Sequence, residues 1–219
     1  MIETKQPAVD FNLYLITDRC QAKGADLLQA VERALAAGVK ALQLREKDLP
    51  SRELFDLAKE LRVLTRRYQA RLIINDRTDI ALAVEADGVH LGENSMPTGQ
   101  VRALLGRSRL IGVSCHDRAG AIAAQEHGAD FITFGPTFFT PSKATYGPPV
   151  GLEALEQVTA LLHIPVFGLG GINRRNAGQV LAAGAHGIAL ISAILAADDP
   201  RRAASEMLAI FDATALTTS

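Results

Sequence analysis

Residues 109–135 read RLIGVSCHDRAGAIAAQEHGADFITFG. The stretch opens on a short apolar run at 109–114 and closes on another at 131–135. Between them lies a helical pattern that ends at His127-Gly128-Ala129-Asp130. Runs this short, rich in branched and aromatic residues and bounded by turn signals, predict strands. A glycine just past a helix end adopts the left-handed backbone that other residues resist, so the chain stops its helix there and enters the next strand. The unit is strand, helix, strand.

The same joint recurs at Ala37-Gly38-Val39-Lys40, Glu85-Ala86-Asp87-Gly88 and Ala183-Gly184-Ala185-His186. Backbone geometry explains these joints without any chemistry. Working outward predicts strands at about 12–17, 41–45, 71–75, 88–91, 109–114, 131–135, 165–169 and 187–191, with helices between them. The clearest helix runs from Arg52 to Tyr68, with Leu54, Leu57, Ala58, Leu61 and Leu64 on one face. Eight strands, each followed by a helix, predict an α/β fold of the (β/α)8 TIM-barrel type. An open doubly wound sheet is the alternative. It is disfavoured by the even spacing and by the lack of an opening Gly-x-Gly-x-x-Gly turn. The expectation is a single domain over 1–219, its barrel core at about 12–213. The longest irregular stretch, Pro136 to Pro149, follows strand six and has the length of a functional loop.

Bulk composition excludes several classes. The formal net charge is −1, so no bulk attraction to nucleic acid or anionic membrane is expected. Phosphate binding, if present, must be local. Two cysteines, Cys20 and Cys115, make neither a disulfide framework nor a metal-ligand pattern. No apolar run approaches the length of a membrane span, and residues 1–10 lack the apolar core of a signal peptide. A cytoplasmic protein is expected. The sequence names no protein partner and leaves a homo-oligomer open.

In such a barrel the reactive face lies at the C-terminal ends of the strands, and polar residues collect there. Gln43-Leu44-Arg45-Glu46-Lys47 is the densest cluster. Alternation puts Gln43, Arg45 and Lys47 on one side, a donor set suited to a polyanion such as pyrophosphate. A solvated strand end, with Glu46 pairing a neighbour, is the competing reading. Asp76, beside Asn75, offers a carboxylate for Mg²⁺, or else a cap for the helical stretch Arg77 to Val84. Gly168-Leu169-Gly170-Gly171, with Ile191-Ser192 at the last strand end, fits the phosphate site that barrels build after strands seven and eight. Thr140-Pro141-Ser142-Lys143 adds hydroxyls and a cation in the long loop. His90 and His116 sit at strand ends, where a lone histidine is more often a hydrogen-bonding residue than a catalyst. His127, at a helix end, reads as structural.

Taken in order, Gln43-Leu44-Arg45-Glu46-Lys47, Ile74-Asn75-Asp76-Arg77, Asp87 to Gly92, Ile111 to Ser114, Gly135-Pro136 with Thr140-x-Ser142-Lys143, and Gly168 to Ile172 resemble the thiamine phosphate synthase family. The resemblance covers about residues 12–194. It implies a transferase that joins a hydroxymethylpyrimidine pyrophosphate to thiazole phosphate, releasing pyrophosphate. It also implies roles. Gln43, Arg45 and Lys47 would bind the pyrimidine substrate and its pyrophosphate, with Asn75 and Ser114 lining the same pocket. Lys143 would contact pyrophosphate, so Arg45, Lys47 and Lys143 form the catalytic set. Thr140, Ser142, Gly170, Gly171, Ile191 and Ser192 would hold the thiazole phosphate. Asp76 would bind Mg²⁺, the implied cofactor.

One position departs from the pattern. The family's second metal-binding Asp falls three residues after Gly92, where this chain has Ser95. Glu93 stands two residues earlier as a substitute carboxylate. The departure keeps alive a sister reading, the thiazole tautomerases, which share the barrel and isomerise the thiazole phosphate carboxylate. Their acid/base histidine follows the glycine that ends strand six, and here that place is Pro136. A non-catalytic thiazole-phosphate-binding regulatory barrel is the third reading.

Overall fold

The computed structural model describes residues 8–22, 26–140 and 148–217. Eight strands close into a barrel in sequence order, every neighbouring pair parallel, with β8 returning to β1. They are β1 (Leu13–Ile16), β2 (Ala41–Leu44), β3 (Arg71–Asn75), β4 (Gly88–Leu91), β5 (Leu110–Cys115), β6 (Phe131–Phe134), β7 (Val166–Leu169) and β8 (Gly187–Leu190). Each overlaps its expected run to within a residue at either end. Closure leaves no strand edge unpaired. The alternative of an open doubly wound sheet is excluded.

The helices cover the outside. They are α1 (Leu27–Ala36), α2 (Ser51–Arg67), α3 (Thr78–Ala83), α4 (Thr98–Leu105), α5 (Arg118–Glu126), α6 (Gly151–Leu161), α7 (Ala177–Ala182), α8 (Ser192–Leu195) and α9 (Pro200–Thr217). The apolar stripe of α2 packs on the barrel as its spacing requires. Leu54, Ala58 and Leu61 are buried, and Leu57 and Leu64 flank them. Leu61 is fully buried, so truncation to Ala there would cost roughly 2–5 kcal/mol.

Inside the barrel the side chains form layers whose chemistry changes along the axis. The floor is aromatic. Phe11, Phe131, Phe167 and the Tyr14 ring meet at centroid distances of 5.3–6.1 Å. These rings fit because small residues face them. A Cβ on Gly112 would lie 2.4 Å from Phe131 Cζ, and one on Gly187 would lie 2.6 Å from Phe167 Cε1. Above the rings sit buried polar residues, Gln43, His90 and Thr133. The register brings these into adjacent rows, pairing Ile16 with Gln43, His90 with Gly112 and Ser114 with Thr133. The charged residues lie higher still, just past the strand ends. Apolar floor, polar middle and charged rim therefore succeed one another toward the C-terminal mouth.

Candidate active site

The tops of β1 and β2 are stitched together. Thr17 N–H donates to the Gln43 carbonyl at 2.9 Å, and Arg45 N–H donates to Thr17 Oγ1 at 2.9 Å. Strand pairing ends there, and Lys47 already lies in a turn. Gln43, Arg45 and Lys47 thus occupy three depths. Gln43 is buried in the lumen, Arg45 is half-buried and Lys47 is exposed. Neither Arg45 nor Lys47 has an ion-pair partner among the described residues. Glu46 points away from them. Its buried carboxylate accepts from the Arg19 N–H at 3.1 and 3.2 Å and from Arg19 Nη1 at 3.2 Å. The expected pairing of Glu46 with a neighbour and the expected free cations therefore coexist. Two cations without counterions beside a buried amide make a site for an anion with a polar organic head.

Asn75 ends β3 half-buried, and Asp76 follows with φ of +65°. That left-handed backbone is held by the bond from Asp76 N–H to the His90 carbonyl at 2.9 Å. It turns the exposed carboxylate out of the strand, and no described residue hydrogen-bonds it. The capping alternative fails, because the N-cap position of α3 is Arg77, with no side-chain cap bond. Helix α3 begins one residue later than the sequence pattern suggests.

The residue types at this corner suit Mg²⁺ in one way only. Among the described residues no cluster of three or more His, Cys, Asp or Glu could hold a metal alone. Mg²⁺ commonly takes one or two carboxylates and fills its other positions with water and substrate phosphate oxygens. Asp76 is a free carboxylate of that kind, and Glu93, exposed on the loop after β4, is a second. Ser95 is otherwise engaged. Its Oγ accepts the Gly92 N–H at 2.8 Å and closes the turn.

His90 and Ser114 face the lumen from β4 and β5, with His90 Nε2 2.9 Å from Ser114 Oγ. Burial first, then the nearby Arg45 charge, pushes the His90 pKa down to about 3, so the ring is neutral at ordinary pH. Cys115 faces the opposite way into the helix layer, and burial raises its thiol to about 12. His116 is exposed and its Nδ1 lies 2.5 Å from the Gly135 carbonyl. The two are no nucleophile pair. His127 is structural, with Nδ1 2.6 Å from the Ala123 carbonyl.

Across the mouth, the β7 end turns sharply on Gly170 (φ +97°) and Gly171 (φ +65°). A Cβ on Gly170 would lie 2.6 Å from Pro136 Cβ, and one on Gly171 would lie 2.6 Å from the Phe139 carbonyl oxygen. Only glycine allows both the backbone and this approach. The loop after β6 is clipped to the turn by Thr137 N–H to the Leu169 carbonyl at 2.7 Å and Phe138 N–H to the Gly170 carbonyl at 3.0 Å. Asn176 Nδ2 donates to the Gly171 carbonyl at 3.0 Å. With the carbonyls of Gly170 and Gly171 so engaged, their N–H groups have no acceptor among the described residues. Ile191 and Ser192 lead into α8 on the neighbouring strand end. Thr140 is half-buried at the end of the clipped loop. Ser142 and Lys143 lie outside the described residues.

The matches of the chain to known proteins coincide with this geometry. Residues 13–194 match the family model described as thiamine monophosphate synthase. The chain belongs to that family. A protein of Geobacter sulfurreducens is 63% identical over 202 residues, 92% of this chain and 95% of its own length. The thiamine-phosphate synthase of Clostridium novyi is 44% identical over 191 residues, 87% of this chain and 94% of its own. Among solved structures, thiamine phosphate pyrophosphorylase from Pyrococcus furiosus superposes with a TM-score of 0.85 at 39% identity. That match covers 93% of this chain and 96% of the other. Membership of a thiamine monophosphate synthase family makes the chain a transferase.

Of the polar end of strand one, Thr17-Asp18-Arg19, Thr17 joins the polar layer and Arg19 anchors Glu46. The lumen also holds two residues that sequence reasoning misses, Tyr14 and Thr133. A tyrosine in the run Leu13-Tyr14-Leu15-Ile16 was the available signal, since a buried phenol needs a partner.

Proposed function

We propose that this chain condenses 4-amino-2-methyl-5-hydroxymethylpyrimidine pyrophosphate with thiazole phosphate to give thiamine phosphate. The bond from the pyrimidine methylene carbon to oxygen breaks, and its electron pair leaves with pyrophosphate. The thiazole nitrogen supplies the pair for the new carbon–nitrogen bond. The observation that carries the reading is Gln43 in the lumen with Arg45 and Lys47 above it on the same strand end, free of carboxylate partners. In the family resemblance those three residues bind the pyrimidine and its pyrophosphate.

The chemistry asked of the chain is positional and electrostatic. Arg45, Lys47 and, by the resemblance, Lys143 stabilise charge developing on the leaving pyrophosphate. Asn75 and Ser114 line the pyrimidine pocket. Thr140, Ser142, the amides of Gly170 and Gly171, and Ile191-Ser192 hold the thiazole phosphate so that its nitrogen faces the methylene carbon. Asp76 holds Mg²⁺, with Glu93 as the second carboxylate available where Ser95 replaces the family's Asp. When bound, the ion neutralises pyrophosphate charge. No helix among the described residues is long and apolar enough to cross a membrane. Both cysteines are free, and the cytoplasm is the compartment this reading assigns.

The test is a coupling assay. Purified protein, Mg²⁺, the pyrimidine pyrophosphate and the thiazole phosphate, with and without its carboxylate, are mixed and thiamine phosphate is sought by chromatography. Product that requires both enzyme and Mg²⁺ is the expected result. Folded protein that yields none overturns the reading.

A further inference from the structure

Beneath the charged rim a chain of side-chain hydrogen bonds crosses the lumen. Gln43 Nε2 donates to Tyr14 Oη at 2.9 Å, and that oxygen lies 3.3 Å from His90 Nδ1. On the far side of the ring, His90 Nε2 lies 2.9 Å from Ser114 Oγ. Thr133 Oγ1 donates to Ser114 Oγ at 3.3 Å and lies 3.4 Å from His90 Nε2. Tyr14, Gln43, His90 and Thr133 are all buried.

The protons along this chain are not independent. Gln43 Nε2 can only donate, so the Tyr14 oxygen accepts from it. Among the described residues the single Tyr14 O–H then has one remaining acceptor, His90 Nδ1. Burial raises the Tyr14 phenol pKa, so that proton stays in place. The neutral His90 ring carries one proton. With Nδ1 accepting, that proton is on Nε2, and it donates to Ser114 Oγ. Ser114 thus receives from His90 and Thr133, and its own O–H is left for the lumen. At the other end, one N–H of Gln43 Nε2 goes to Tyr14 and fixes the orientation of the amide, and its Oε1 has no donor among the described residues.

We infer that Tyr14 and His90 are positioning residues that set the hydrogen-bonding polarity of the pocket, an acceptor at Gln43 and a donor at Ser114. The inference rests on the proposed function, which supplies the ligand. A 4-aminopyrimidine offers an amine that donates and ring nitrogens that accept. A 4-oxopyrimidine of nearly the same shape offers a carbonyl that accepts and a ring N–H that donates. Running the chain in reverse, with Tyr14 donating to Gln43 and the histidine proton on Nδ1, would favour the oxo compound. Both residues act through Gln43 and Ser114, so the choice between two near-isosteric bases is made a layer away from the ligand.

Two measurements test this. The first is a long-range proton–nitrogen NMR spectrum of ¹⁵N-histidine-labelled full-length protein at neutral pH. The expected pattern for His90 is a protonated Nε2 and a bare Nδ1; a proton on Nδ1 overturns the inference. The second is calorimetric binding of the monophosphates of the 4-amino and 4-oxo pyrimidines. A site built to pair a polar group rejects the mismatched analogue strongly, so the wild type should favour the amino compound by about a hundredfold. Tyr14→Phe frees the Gln43 amide to rotate. The preference should then fall to about threefold, with KM for thiazole phosphate unchanged. A folded Tyr14→Phe protein that keeps the full preference overturns the inference, and if that variant does not fold, the NMR pattern decides. A wild type that makes thiamine phosphate without preferring the amino compound sinks this inference alone. A wild type that binds neither compound and makes no product sinks the proposed function with it.

Discussion

Arg19, in the turn after β1, closes on Glu46, just past the end of β2, through two different groups. Its backbone N–H meets both carboxylate oxygens at 3.1 and 3.2 Å, and its Nη1 lies 3.2 Å from Oε2. The same guanidinium takes Asp48 at 2.6 Å with each of its two terminal nitrogens. Glu46 is therefore the fixed point between Arg45 and Lys47. Glu46→Ala should lower kcat/KM for the pyrimidine pyrophosphate by about tenfold and leave KM for thiazole phosphate nearly unchanged. Loss of hydrogen bonds to a buried charge should also cost about 1.5–3 kcal/mol of stability. Steady-state kinetics with each substrate varied in turn, plus urea unfolding, check both parts.

The Asp76 carboxylate makes no hydrogen bond among the described residues, and both backbone bonds of Asp76, from its N–H to His90 and from Thr78 N–H to its carbonyl, are untouched by a side-chain change. Asp76→Asn preserves the side-chain shape and tolerates the left-handed backbone. Its thermal midpoint should stay within about 2 °C of wild type. Its Mg²⁺-dependent turnover should fall about a hundredfold or more. Unchanged activity across a Mg²⁺ titration would remove Asp76 from the metal site.

Ser95→Asp makes the complementary prediction. An aspartate can accept the Gly92 N–H as the serine does now and still present a second oxygen. The Mg²⁺ concentration at half-maximal rate should drop several-fold, by about 3–10 times. A further Glu93→Gln change should matter less in this background than in wild type. A midpoint that stays where it was means that Ser95 is remote from the ion.

His90 gives a pH dependence with a defined sign. Its folded pKa is about 3, below the unfolded value of about 6.5. Above the unfolded value both states leave the ring neutral, and burial carries no proton penalty. As pH falls below about 6.5, the unfolded chain takes up a proton that the folded chain refuses, so stability declines until pH reaches about 3. His90→Asn removes this term. Urea midpoints for wild type and variant should therefore approach each other between pH 7.5 and pH 5. Parallel midpoints would show that the ring takes a proton in place. For the same reason the kcat profile should have no limb from His90 near neutral pH.

Gly171→Ala introduces a Cβ where φ is +65° and the Phe139 carbonyl oxygen is 2.6 Å away. It should cost about 1–3 kcal/mol and raise KM for thiazole phosphate far more than KM for the pyrimidine. Gly178→Ala, in α7 with open space around it, is the control. It should be neutral or stabilising by up to about 1 kcal/mol.

Strand positions were legible because each run was short, apolar and bounded by a helix-ending glycine. The faces of those strands were not. In a parallel barrel both faces are buried, so the period-two signal vanishes. The spacing of Leu13-Tyr14-Leu15-Ile16 does not say which residues enter the lumen; only the phenol of Tyr14, which needs a partner once buried, hints at it. Arg19 and Glu46 are 27 residues apart, and no local pattern links them. The capping reading of Asp76 failed because the chain takes one more left-handed step before α3 begins. Gln43, Arg45 and Lys47 were found because they sit within one strand end, where spacing alone puts them together.

The ring-packed floor makes the lumen a cul-de-sac. Phe11, Phe131, Phe167 and Tyr14 seal one end, so whatever reaches Gln43 must arrive and depart through the same doorway.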